Sequence, residues 1–344
     1  MATQDERGVP FSIAHEQQQF RLLELPPEIL QLIDSPNPPV LSVKSQVSPV
    51  ASSTPDSKPA YAVLCTRDQT FQLRQVQTSN SVFVTQPVFE THGDEIPIPG
   101  LSAISSCTTT LELHAVAASP LPFLKDALLV WDSNDGMVDA AGNGQSKRAL
   151  FSNIPLSDGE CETGWQELAA FELAGSSFRP SLKTQLQVWQ SINAAALAES
   201  INLGSQFLTE DLINAMEDEG YPSSLIAALL QLLAAEEKDT RAAWSCLDPK
   251  KCVTWTGKSI LEVKQSDPEL LTATFLDAWK DCLPEAWRDD AELETIKDAY
   301  VLPTPTTIAF KADPETVKVA NDAAARAGSS SRKWHEKFAR ARRR

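Results

Sequence analysis

The 344-residue chain has no apolar run approaching the ~18 residues that a membrane-spanning helix requires. Its opening residues, MATQDERGVP, carry acidic side chains and no apolar core, which argues against a secretory signal. Six cysteines (Cys65, Cys107, Cys161, Cys246, Cys252 and Cys282) are dispersed and form no C-x-x-C pair. That usage fits free thiols in a reducing compartment. None of the four histidines, His15, His92, His114 and His335, lies four residues from another or beside a cysteine pair. A zinc signature is therefore missing. So is G-x-x-x-x-G-K-[ST], the loop that cradles ATP phosphates. Gly142-Asn143-Gly144 is a lone G-x-G with no strand before it and reads as linker. Asp132, Asp135 and Asp139 surround Gly136, but a calcium loop with Gly136 at its sixth position would begin at Trp131. Cys65 or Cys107 paired with His92 or His114 would be the only nucleophile reading, and both cysteines sit near β signals, where buried structural thiols are ordinary. The expectation is no enzyme and no cofactor.

Basic charge is also scarce: 30 Lys and Arg oppose 46 Asp and Glu, for a net charge of -16. Such a surface should not coat nucleic acid. The basic residues present are unevenly placed. Between Asn321 and Arg344 stand Arg326, Arg332, Lys333, Lys337, Arg340, Arg342, Arg343 and Arg344, opposed only by Asp322 and Glu336. This tail carries +6, which leaves -22 on the rest. Trp334 and Phe338 lie four residues apart within it, the spacing of an amphipathic helix. Three readings stand together: phosphate contact, targeting, and docking on the body or on a partner.

Along the chain, Phe20–Leu25 is a short strand signal closed by Pro26-Pro27, with a helical turn at Glu28–Ile33. Residues 35–59 are rich in proline and serine and read as a loop or disordered insertion. β signals follow at Tyr61–Cys65 (YAVLC), Phe71–Val76, Ser81–Thr85 and around Leu111–Ala115, with a turn at Thr66–Gln69. Several short strands joined by turns predict a small barrel with edges for a partner to complete.

After Pro122 the apolar period becomes helical, from Phe123 to Trp131. Residues 132–160 read as a polar linker. Helices are predicted at Leu182–Leu197, after an N-cap at Thr209 and ending at Gly220, and at Leu225–Ala235. A short strand is predicted at Cys252–Trp255 and a helical run at Ser259–Val263. Asp267 caps a helix carrying Leu271, Phe275 and Trp279. Asp290 caps a second helix to Tyr300, and Thr306–Phe310 is a strand. Helix, turn, helix, strand is the order of a winged helix.

Several of these segments resemble the Dcc (defective in sister chromatid cohesion) family of sister chromatid cohesion proteins. The matching residues are Phe20–Leu25 (FRLLEL), Tyr61–Leu73 (YAVLCTRDQTFQL), Thr78–Val84 (TSNSVFV), Phe275–Trp287 (FLDAWKDCLPEAW) and Arg332–Trp334. The pattern A-V-L-C-[ST]-[KR]-D-x-T-[FY] is the most specific of them. The resemblance spans residues 20–335 and is poor at 86–160. It implies a non-ATPase accessory subunit of the alternative replication factor C clamp loader, acting on the sliding clamp PCNA at replication forks. The N-terminal β region would share a multi-barrel with a small subunit and the large subunit's C-terminal end. The winged-helix region would contact DNA polymerase epsilon and DNA. Family members continue past the R-x-K-W motif into a last winged helix, whereas ten residues follow Trp334 here. That module is expected to be absent, with the basic tail as its electrostatic substitute.

The resulting expectation is an α+β protein: a small N-terminal β-barrel module followed by mainly helical winged-helix modules. Residues 1–19 are expected to be disordered, 20–118 to form the barrel, 119–208 a linker and first winged-helix region, 209–310 a second, and 311–344 the basic tail. Leu22, Leu23, Leu25, Tyr61, Val63, Phe71, Leu73 and Phe83 are the candidate partner-binding residues of the barrel. Arg332, Lys333, Lys337, Arg340, Arg342, Arg343 and Arg344 are the candidates for DNA contact. The expected localisation is the nucleus. A free-standing winged-helix or transcription-related protein is the competing class. An acidic recognition helix over Asp290–Tyr300 would be repelled by the major groove, which counts against it.

Overall fold

A computed structural model describes residues 8–45, 61–90, 98–133, 144–235, 243–265 and 270–311. The chain is a mixed α+β protein that divides into two compact units. Unit 1 comprises residues 1–128, 143–167 and 175–177, and unit 2 comprises 129–142, 168–174 and 178–344.

Unit 1 is built on a curled half-barrel sheet. Its strands are β1 (Phe11–Ile13), β2 (Leu22–Leu23), β3 (Ser42–Ser45), β4 (Ala62–Cys65), β5 (Thr70–Glu90) and β6 (Ile98–Val116). The order is β1-β6-β5-β4-β3, with β2 also on β6. The separate signals at Phe71–Val76 and Ser81–Thr85 belong to one strand, β5, whose pairing with β6 shifts register between Gln77 and Val82. Residues 1–19 do not match the expected disorder throughout, because Phe11–Ile13 pairs in parallel with Leu101–Ala103. Val9, Phe11 and Ile13 alternate with Pro10 and Ser12, the period of two that marks a strand.

Helices α1 (Pro27–Ile33), α2 (Leu121–Ala127), α3 (Lys147–Asn153) and α4 (Asp158–Glu167) complete unit 1. The predicted linker at 132–160 thus contains α3 and the start of α4. Ser157 and Glu160 form a capping box: the Ser157 hydroxyl accepts from the Glu160 amide (3.2 Å), and Glu160 Oε2 accepts from the Ser157 amide (3.1 Å). The Gly142-Asn143-Gly144 reading falls largely outside the described residues, as does the Asp135–Asp139 loop.

Unit 2 buries a continuous core. β7 (Leu129–Trp131), β8 (Phe171–Leu173) and β9 (Ser176–Pro180) lie in the order β7-β9-β8. Trp131, expected at the end of a helix, is therefore in a strand. Helices α5 (Leu182–Ala198), α6 (Thr209–Ala215), α7 (Ser223–Leu233), α8 (Pro249–Val263) and α9 (Thr272–Asp281) surround Trp189, Phe275 and Trp279, all with no exposure. β10 (Phe207–Leu208) pairs with β11 (Trp244–Ser245), and β12 (Tyr300–Thr304) with β13 (Thr307–Phe310). Trp189 Nε1 donates to the Cys282 carbonyl (2.8 Å) and Trp279 Nε1 to the Val253 carbonyl (2.9 Å). These bonds satisfy the two buried indole N–H groups. Gly257 lets α8 approach that ring: a Cβ there would stand 2.6 Å from Trp279.

Four local expectations for unit 2 need correction. Leu271, expected inside a helix capped by Asp267, is the N-cap residue of α9, and Asp267 lies outside the described residues. Cys252–Trp255 is helical, not a strand. Asp248 caps α8 by accepting from the Lys250 (2.9 Å) and Lys251 (3.3 Å) amides, and Cys252, Val253, Thr256 and Ile260 supply an inward helical stripe that outweighs the β-branched run. Thr209 begins α6 without a side-chain cap; Leu208 occupies the N-cap position. The helix expected over Asp290–Tyr300 is replaced by short 3-10 turns at Glu285–Asp290 and Leu293–Ile296, interrupted at extended Glu292. Like charges at Asp290/Glu294 and Glu294/Asp298 would each cost a helix about 0.2–0.5 kcal/mol, and so short a segment has little to spare. The helix–turn–helix–wing order is therefore not reproduced at 267–310.

Candidate partner interface

The half-barrel has one closed region and one open one. β4 is buried over its last three residues: Val63, Leu64 and Cys65 are all below 8% exposure. On one face Leu64 and its cross-strand partner Phe71 pack with Ile29 of α1, joined by Leu25, Leu32, Leu41 and Leu113. The other face is tied to the α3–α4 segment. The Thr70 hydroxyl donates to Glu160 Oε2 (2.5 Å) and accepts from the Ser157 amide (2.7 Å). From β3, Lys44 Nζ donates to the Phe151 carbonyl (2.9 Å), the Leu156 carbonyl (2.7 Å) and Asp158 Oδ1 (2.7 Å). A strand covered on both faces reads as a continuous apolar run, which is why A-V-L-C does not alternate.

The turn after β4 completes this joint. Thr66 caps it, accepting from the Gln69 amide (3.0 Å), and the Gly159 amide donates to the Arg67 carbonyl (2.8 Å). A Cβ on Gly159 would stand 2.6 Å from Asp68 Oδ1 and 2.9 Å from the Arg67 carbonyl. The most specific part of the Dcc-like pattern, C-T-R-D-Q-T, is thus an internal fastening of unit 1.

The distal half of the sheet is different. One edge of β6 is lined by the N-terminal segment: β1 pairs at Leu101–Ala103, β2 at Thr110–Leu111, and the Ala14, Gln18 and Glu24 amides bond to β6 carbonyls between and beyond them. The opposite edge belongs to β5. β4 covers it only at Thr70–Gln72, and from Leu73 to Glu90 no other described strand pairs there. Exposed apolar side chains gather on the same strands: Phe11, Ile13, Val82, Phe83, Phe89 and Leu101. Phe11 and Phe83 meet edge to face at 6.2 Å. A long bare edge beside exposed aromatics is a template for strand addition.

The eight sequence-predicted barrel residues divide between these regions. Val63 and Phe71 are core, and Leu25 packs on that core. Leu22, Tyr61 and Leu73 are half-buried, while Leu23 and Phe83 are exposed. Phe11, Ile13, Phe89 and Leu101 were missed, although alternation around Phe11 marked that strand. The seven basic candidates, Arg332 to Arg344, lie outside the described residues.

The nucleophile reading weakens on physical grounds. Burial pushes the Cys65 thiol up, so it does not readily become thiolate, and Cys107 is buried with its thiol donating to the Phe20 carbonyl (3.5 Å). His114 is exposed and bonded to Glu112 (3.3 Å). His92 lies outside the described residues.

Fold and interface together are those of a protein whose sheet offers a long edge to which, among the described residues, no further strand pairs. Residues 20–322 match the family described as sister chromatid cohesion protein Dcc1, and the chain belongs to that family. It is similar to the sister chromatid cohesion protein DCC1 of Saccharomyces cerevisiae, with 22% identity over 313 residues, 85% of this chain and 79% of the yeast protein.

Proposed function

We propose that this chain is a non-catalytic accessory subunit of the alternative replication factor C clamp loader, supporting sister chromatid cohesion through action on PCNA at replication forks. Its half-barrel joins the large and small accessory subunits of that complex, and unit 2 contacts DNA polymerase epsilon. The nucleus is its place of work. The observation that carries the reading is the open edge of β5 beside Phe11, Phe83 and Phe89. Each strand added there would satisfy main-chain donors and acceptors and cover these aromatics. Family membership and the similarity to a yeast cohesion protein support the same reading.

The test is affinity purification of the tagged full chain from nuclear extract, followed by mass spectrometry. Recovery of clamp-loader subunits and polymerase epsilon is expected. Recovery of promoter-bound machinery without them would favour the transcription-related class instead.

A further inference from the structure

Beyond that assembly role, no described residue covers the outward face of the β12–β13 hairpin in unit 2 at Leu271 and Val301. Ile308 points into the core at 1% exposure, so its neighbours Thr307 and Ala309 lie on the opposite face. Val301 pairs with Ala309, and Leu271 bridges to Thr307, which places both on that outward face. Leu271 is 50% exposed and Val301 44%. A row of β-sheet side chains with this apolar content is ordinarily covered.

The surroundings are strongly acidic. The segment running into β12 exposes Asp281, Glu285, Asp289, Asp290, Glu292, Glu294 and Asp298 against Arg288 and Lys297. Lys297 is already engaged with Glu294 at 3.3 Å. From Lys280 to Lys311 seven exposed acids stand against four exposed cations, Lys280, Arg288, Lys297 and Lys311, and this acidic run leads into the apolar strip. The described chain also leaves from this place: the Lys311 amide donates to the Ala299 carbonyl (2.9 Å).

One segment of the sequence answers both features. Residues 326–344 hold the eight basic side chains of the tail together with Trp334 and Phe338. Only fourteen residues separate Lys311 from Arg326, a coil reach of about 20 Å. A tethered segment at such range has an effective concentration of order mM, so weak contacts suffice. We propose that residues 326–344 dock on this hairpin face, with Trp334 and Phe338 against Leu271 and Val301 and the arginines on the acidic rim. The docked tail is withheld from phosphates, and the acidic rim competes with nucleic acid for it. The proposal does not depend on which assembly unit 1 enters.

The test uses the full chain and a zero-length carbodiimide. Cross-links from Lys333 or Lys337 to Asp289, Asp290, Glu292, Glu294 or Asp298 are expected in the monomeric band at low salt and should vanish at 0.5 M salt. Asp289→Asn/Asp290→Asn/Glu292→Gln/Glu294→Gln should abolish them and raise affinity for a 20-base-pair duplex about fivefold or more, with a steeper salt slope. Glu210→Gln/Asp211→Asn/Glu217→Gln/Asp218→Asn removes the same charge from exposed positions elsewhere in unit 2 and should leave the cross-links in place. Equal duplex affinity in the two quadruple variants would overturn the proposal. So would cross-links confined to a dimeric band, which would make a second copy the occupant, or an absence of cross-links to the rim.

Discussion

The two units bury their apolar residues to different degrees. In unit 2 the inward side chains of α5, α7, α8 and α9 converge on Trp189, Phe275 and Trp279, and the core is closed within the chain. Unit 1 also buries apolar side chains, from Ile29, Leu64 and Phe71 to Leu124, Phe151 and Trp165, while its distal β5–β6 arm leaves Val82, Phe83 and Phe89 in solvent. Unit 2 covers its inward side chains with its own helices, whereas the distal arm of unit 1 has an edge to which no described strand pairs. Helices supply most of their main-chain bonds internally, whereas a strand needs a neighbour on each side.

The comparison breaks most visibly at the centre of unit 2. Trp279→Ala removes a fully buried indole and its hydrogen bond to the Val253 carbonyl. A loss of about 3–5 kcal/mol is expected in urea unfolding followed by tryptophan fluorescence. Trp165 is the only described tryptophan of unit 1, so that signal reports chiefly on unit 2. In unit 1 the equivalent weak point is a polar joint. Lys44→Met strands two carbonyls and Asp158, and about 2–3 kcal/mol should be lost. Hydrogen exchange would show it as faster exchange at Ala62–Cys65 with Trp279's neighbours unchanged.

How far the sequence disclosed this contrast differs from element to element. The long periodic helix Leu182–Ala198 was plain, since Leu186, Trp189 and Ile192 repeat on one face. The compact strand Ala62–Cys65 was equally plain. The strands and the presence of edges were legible, but not that β5 carries the long one, because which neighbour a strand lacks is a matter of long-range pairing. Val63 and Phe71 were marked for a partner on apolar character alone, and nothing in that character separates a core residue from an interface one. Cys252–Trp255 misled because β-branched residues suit a strand locally, while Asp248-Pro249, a strong helix start, lay just upstream. The acidic run after Asp290 carried the spacing of a helix without the charge balance to sustain one.

Burial of thiols acts alike in both units and offers a finer comparison. Cys161 in unit 1 and Cys252 in unit 2 are each pushed to about 12 from the ordinary 9.0, chiefly by desolvation. The folded state thus keeps protons that the unfolded chain releases. Stability is fully present below pH 9 and falls as pH rises from there toward 12. Urea midpoints measured between pH 8 and 10.5 should decline, and the decline should flatten in Cys161→Ala/Cys252→Ala. A slope unchanged by the double substitution would assign alkaline loss to other groups.

The smallest effect on the isolated chain is expected where the proposed partner effect is largest. Phe83 and Phe89 are exposed at 46% and 71%, so Phe83→Ser and Phe89→Ser remove little buried surface. Urea midpoints should move by no more than about 0.5 kcal/mol equivalent. Phe71→Ala, at 3% exposure, should instead cost about 3–5 kcal/mol. If the open arm is completed by other subunits, the two serine variants lose co-purification of those subunits while remaining folded. An aromatic anchor in a covered interface is commonly worth 2 kcal/mol or more, at least a thirtyfold change in affinity. Retention of both subunits by the doubly substituted chain would mean that the exposed aromatics of β5 are not the surface on which the assembly closes.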